Sequence, residues 1–323
     1  MGDLYARLAT IGFDRDFIRS VVLPEWWEDS LAEVPANRAL AENLLARHLG
    51  MAIRDLSEPS AELQLPSLSH VKFKRYNNAA DKGVAPAILV AQRAAKIVVE
   101  SSSPLPQFNQ ATDAITVRQE ILRRHRYVDL ASLLDWCWTH GVAVLHLAKA
   151  PQGSKLFDGL AMFCGEHPVI VLGSRRDSPA WLAFHLAHEL GHIFRGHVTA
   201  GSPPLADSDL ASASSDRQER EADKSGFELL TGMADPKLRN LKYNALRLAL
   251  FVAQAGPTRG IDPGVMALIY GKSNDRWPVA QNALKHLSLV SGAHEMIAAP
   301  IKKRLNPEEL PESSERFLGV ISV

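Results

Sequence analysis

The chain has 323 residues, 46% of them hydrophobic, with 36 Lys and Arg balancing 36 Asp and Glu. That is enough apolar chain for two domains or three small ones, and zero net charge supplies no global positive field for tight nucleic-acid binding, although a local basic patch stays open. Two cysteines, Cys137 and Cys164, are too few for a disulfide framework and read as core thiols in a reducing compartment.

The first residues, MGDLYARLATIGFDRD, interleave charges and have no apolar centre, so no secretory signal is expected. No stretch approaches the roughly 18 apolar residues of a membrane span, and a cytoplasmic protein without membrane contact is the expectation. Residues 1–58 read as short helices around Leu4 to Thr10, Asp14 to about Ser30 and Ala36 to Leu49, the last ended by Gly50. Leu44 to Leu56 has the outline of a helix-turn-helix unit, with Arg54 as its one obvious contact to phosphate or base. A packing or dimerisation role is preferred there, and DNA binding through residues 36–56 is open but not favoured.

Residues 59–84, with Pro59, Pro66, Asn77, Asn78 and Gly83, read as a linker, inside which Val71 to Tyr76 alternates like an edge strand. Helices are expected from Ala85 to Glu100, up to about His125, and from Val128 to Thr139, where Gly141 stops the last. Then the period changes. Val142–Leu147, Gly159–Cys164 and Val169–Leu172 are short apolar runs between turn residues, the pattern of a small, mainly antiparallel, three-stranded sheet. Residues 85–234 are therefore expected to form an α+β domain whose sheet packs on the helix that follows, flanked by helical N- and C-terminal regions, with an exposed edge able to pair an extended peptide. Gly201 to Ser215 is a small, polar loop, and a helix begins near Asp216. Residues 235–323 are expected to be helical, with Lys302 to Val323 loosely attached.

The chemistry is concentrated in Trp181–His197, WLAFHLAHELGHIFRGH, which carries His188, Glu189 and His192 as H-E-x-x-H. Asp177 or Ser178 offers an N-cap and Pro179 a first helical position. On a helix, residues four apart lie one above the other, so the imidazoles of His188 and His192 face one ion. Zinc suits two neutral imidazoles and one carboxylate, leaving a fourth position for water, with Glu189 beside it as general base. The three-histidine extension of the motif is excluded, because position 195 is Arg195 rather than Gly and position 198 is Val198 rather than His. The third ligand is sought instead in the acidic cluster Glu219, Glu221, Asp223, and Glu221 is taken for it.

HELGHIFRGH followed by EREADKSGFELL resembles the ImmA/IrrE family of metallopeptidases, and the likeness extends from about Ala85 to Gly232. The family's glutamate, followed by Ala, Asn or Asp, an aromatic and Leu-Leu, matches Glu221, Ala222, Asp223, Phe227, Leu229 and Leu230. The resemblance implies a zincin-like fold, bound Zn2+ held by His188, His192 and Glu221, and Glu189 as the catalytic base. It also implies a protein substrate, a transcriptional repressor or antitoxin, cut in a stress- or phage-response circuit. Residues 36–56 are similar to part of the Xre-type helix-turn-helix of many relatives. His185 departs from the small or hydroxylated residue common at its position in the family and reads as packing, with a place behind the metal ligands, toward substrate or as an alternative ligand left open. Tyr243, His167 and Arg195 are candidates for stabilising an oxyanion. The rival expectation is a non-catalytic DNA- or partner-binding regulator, or a toxin–antitoxin component, with the metal domain as scaffold.

Overall fold

A computed structural model describes residues 1–65, 72–73, 78–202, 204–207, 217–238, 242–306 and 308–322. Five strands, β1 (Lys72–Phe73), β2 (Ala143–His146), β3 (Gly159–Cys164), β4 (His167–Leu172) and β5 (Leu205–Asp207), form one sheet in the order β1-β5-β3-β4-β2. The three long runs are the strands expected, but the sheet is mixed. β3–β4 and β3–β5 are antiparallel, while β2–β4 and β1–β5 are parallel. Gly165, at φ 60°, turns β3 directly into β4 as an antiparallel hairpin, β5 joins the free side of β3, and β2 joins the far side of β4 in parallel. β1 and β5 are too short to carry an alternation of their own. β1 does place Lys72 and Phe73 of the predicted edge strand at a sheet edge, whereas positions 71 and 74–76 lie outside the described residues.

Strand alternation sends successive side chains to opposite faces, and here both faces are buried. Leu145, Leu160, Met162, Val169 and Val171 face a first core built with α1 (Gly2–Thr10), α2 (Arg15–Phe17, continuing as a π turn to Val22), α3 (Pro35–Leu49), α4 (Ile53–Ser57) and α5 (Asn78–Ser101). Val144, Ala161, Ile170 and Leu172 face a second core. It is built by α6 (Ala114–Leu122), α7 (Leu130–Thr139), α8 (Pro179–Phe194), α9 (Arg217–Thr231), α10 (Ala245–Thr258), α11 (Pro263–Asn274), α12 (Trp277–His286) and α13 (Ala293–Arg304).

The chain end is not loosely attached. α14 (Glu312–Ile321) crosses to the first core and buries Phe317, Leu318 and Ile321, and the Ala148 N–H donates to the Ile321 carbonyl at 2.7 Å. Residues 1–58 likewise share their core with α5 and the sheet rather than standing apart. α3 and α4 do flank Gly50, which ends α3 at φ 68°, but α4 is only five residues long, little more than one turn. None of the helices among the described residues is long and apolar enough to cross a membrane.

Candidate metal centre

Helix α8 begins where its sequence places it, with Ser178 at the N-cap position and Pro179 in the first turn, although the Ser178 side chain makes no cap hydrogen bond. The Ser178 hydroxyl donates to the Leu289 carbonyl, and the neighbouring Asp177 carboxylate accepts the N–H groups of Gly292 and His294, tying the start of α13 to the start of α8. One face of α8 lies on the sheet. There the Glu189 side chain rests on Gly159 of β3, where a Cβ would overlap its carboxylate. The other contact is with α9, and it is close because two glycines permit it: a Cβ on Gly191 would stand 2.5 Å from the Ala222 carbonyl oxygen, and one on Gly226 3.0 Å from that of Ala187.

This crossing brings an acid to the two histidines. Glu219 Oε2 lies 3.3 Å from His188 Nε2 and 3.6 Å from His192 Nε2, and the two Nε2 atoms are 3.1 Å apart. His188, His192 and Glu219 are all buried and form a group able to hold a metal ion. The Glu189 carboxylate is buried beside them. Burial pushes the His192 pKa down to about 4, against the upward pull of the Glu219 hydrogen bond, so its ring is neutral at physiological pH, as a ligand must be.

The acidic cluster is thus divided differently from the expectation. The carboxylate at the two imidazoles is Glu219, not Glu221. Buried positions of α9 recur as Glu219, Ala222, Gly226 and Leu229, a helical spacing that turns Glu219 toward α8, whereas Glu221 lies off that face. Glu221 accepts instead from Arg217 at 2.7 Å and from His197 Nε2 at 3.1 Å, and these two partners, Arg217 foremost, hold its carboxyl below the usual range. Asp223 stands 3.0 Å from His188 Nδ1. His197 places its Nδ1 3.0 Å from His192 Nδ1. The outward-facing nitrogen of each imidazole is therefore backed, one by a carboxylate and one by a second histidine.

The remaining candidates are scattered. His185 is buried one turn before His188 and stacks on Trp181. Arg195 follows the last residue of α8 and pairs with Glu228 at 3.2 Å. His167 starts β4 opposite Cys164, and Tyr243 stacks on Phe251 with its N–H donating to the Tyr270 hydroxyl. None of these last three has a described contact with His188, His192 or Glu219. Cys137 and Cys164 are free thiols, and burial pushes the Cys164 thiol up to about 11. The strand beside Glu189, β3, pairs with β4 along its length and with β5 over Gly159, Leu160 and Ala161, so beside Glu189 an extended peptide finds no open edge among the described residues. Much of the predicted loop before α9, residues 208–215, lies outside the described residues.

Apolar and aromatic side chains, Trp181, Phe184, Phe227, Leu230, Leu268 and Trp277, line a pocket that reaches His188 and Asp223, with Lys272 at its rim. Comparison of the chain with protein-family models, with curated proteins and with solved structures finds no match.

Proposed function

We propose that this chain is a zinc-dependent endopeptidase that cuts a protein partner, the activity implied by its resemblance to the ImmA/IrrE family. The observation that carries the reading is the donor triangle. Tetrahedral ligands about 2.0–2.1 Å from zinc stand about 3.3–3.4 Å from one another, and the separations among His188 Nε2, His192 Nε2 and Glu219 Oε2 are 3.1, 3.3 and 3.6 Å. Two imidazoles and one carboxylate are a borderline-soft donor set that suits zinc better than magnesium or calcium. Zinc held there would acidify a water and polarise a peptide carbonyl.

The protein's own groups then divide the work. Glu189, next in sequence to His188 and fixed against the backbone of Gly159, takes the proton of the attacking water. As the water oxygen bonds to the carbonyl carbon and the C–N bond breaks, the same carboxyl returns that proton to the leaving amine nitrogen. Asp223 holds His188 with Nε2 inward, and burial keeps the reacting groups dry, which strengthens every charge interaction among them. The substrate proposed is a transcriptional repressor or antitoxin in a cytoplasmic stress- or phage-response circuit.

Glu189→Gln tests this reading. It should keep its zinc while cleavage of a co-expressed candidate repressor falls at least a hundredfold on a gel, and chelation of the metal should abolish cleavage by wild type. Equal cutting by wild type and Glu189→Gln rules out the general-base role. One observation favours a second reading: His188, His192 and Glu219 are all buried, as structural metal sites are. In that reading the centre is a scaffold for partner binding, and wild type loaded with zinc leaves every candidate partner intact.

A further inference from the structure

Helix α8 ends in a way that bears on one of its own ligands. Gly196, at φ 68°, donates its N–H to the Ile193 carbonyl at 3.0 Å, and His197 donates its N–H to the His192 carbonyl at 2.9 Å. Those two bonds are a Schellman motif, with Gly196 as the left-handed residue after the cap. Such a motif brings the side chain after the glycine onto the one five residues earlier, usually as an apolar contact. Here the pair is His197 on His192. Their Nδ1 atoms lie 3.0 Å apart, and His197 Nε2 lies 3.1 Å from Glu221 Oε2, which is held in turn by Arg217 at 2.7 Å.

With His197 neutral, the hydrogens can be placed consistently in one way. Glu221 only accepts, so His197 carries its proton on Nε2 and offers a lone pair at Nδ1. His192 must then carry its proton on Nδ1, which leaves Nε2 bare and directed at His188 and Glu219. The geometry points to His197 and Glu221 as positioning residues for the metal: a His192–His197–Glu221 relay that fixes the tautomer and ring orientation of His192. This rests on the metal centre proposed above. It also gives the two ligands unlike support, since His188 is held directly by Asp223. The relay assigns a role to His197 and Glu221, which donate nothing to the ion themselves.

The test compares zinc affinity by competition with a chromophoric chelator in wild type, His197→Ala, His197→Gln, Glu221→Gln and Gly196→Ala. Loss of such outer partners typically weakens metal binding about 10–100-fold. His197→Ala is expected in that range, with His197→Gln recovering part of the loss because its carbonyl can accept from His192. Glu221→Gln is expected to weaken binding several-fold. It changes a half-buried side chain and so should fold even if His197→Ala does not. Gly196→Ala, which strains the left-handed position without crowding it, should weaken binding and also lower metal-free stability modestly. Imidazole 15N shifts of the metal-free protein supply a reading that mere packing would not move: His192 protonated on Nδ1 in wild type, and a mixed signal in His197→Ala. Zinc affinity unchanged within twofold in both His197→Ala and Glu221→Gln, with wild type binding one zinc, overturns the relay alone. Failure of wild type to bind zinc removes the metal centre and the relay with it.

Discussion

The two sides of the sheet are both covered by helices but bury different chemistry. Against β2, β3 and β4 on one side lie helices whose buried side chains are mostly apolar, with His48 stacked on Phe317, Glu42 held by Arg38 and Ser57, and the serines Ser101, Ser102 and Ser314 as the polar exceptions. On the other side His185, His188, Glu189, His192, His197 and Glu219 are all buried within α8, the turn after it and the start of α9. Burying an ionisable group is unfavourable unless it is paired or binds a metal. One side of this sheet is therefore optimised as a core, while the other concentrates groups that a core alone would exclude. That asymmetry is a stronger argument for function than any single residue in it.

The asymmetry predicts that damage to the two sides separates stability from metal binding. Leu45→Ala, in the apolar core, should cost about 2–5 kcal/mol in urea unfolding and leave the zinc stoichiometry of the folded protein unchanged. Gly191→Val should cost somewhat less, about 1–3 kcal/mol, but remove the zinc, because the new side chain meets the α9 backbone at Ala222 and drives Glu219 away from the histidines. If Gly191→Val kept full zinc affinity, the α8–α9 crossing would not be what assembles the site. Gly159→Ala is narrower. It leaves all three donors in place and displaces Glu189, so zinc should stay while cleavage drops at least tenfold.

The smallest effect concerns Asp262, the N-cap of α11, whose carboxylate accepts the Val265 N–H. Burial raises its pKa from 3.8 to about 6 in spite of that hydrogen bond. Between those values the folded protein holds a proton that the unfolded chain has released, so this group's contribution to stability falls as pH rises from about 4 to about 6 and stays reduced above. Asp262→Asn should thus be stabilising near pH 7, on the order of 1–2 kcal/mol once its weaker cap bonds are allowed for, and the gain should vanish near pH 4. A pH series of denaturant midpoints for both proteins checks it.

Much of this was readable from local pattern. The four-residue spacing of His188 and His192, the Ser178–Pro179 helix start and the short apolar runs of β2, β3 and β4 between turn residues are short-range signals, and short-range physics decides them. The choice between Glu219 and Glu221 was also present, since only Glu219 lies in register with Ala222, Gly226 and Leu229 on the buried stripe of α9, and the family pattern drew attention to Glu221 instead. His197 was legible as the residue after a helix-ending glycine, but its partner His192 shows only once the Schellman turn is built. The pairing of β5 with β3 and of β1 with β5 was not legible, because two or three residues hold no periodicity and such strands exist only through their neighbours. The docking of α14 on the first core is likewise tertiary: Phe317, Leu318 and Ile321 mark an apolar face, but nothing local says what covers it.

Metal analysis of the purified protein, together with Glu219→Ala and Glu221→Ala, tests the donor triangle most directly. One zinc per chain in wild type, less than a tenth of that in Glu219→Ala, and retained though weaker binding in Glu221→Ala is the predicted result. Wild type without stoichiometric zinc, or zinc kept by Glu219→Ala and lost by Glu221→Ala, would contradict it.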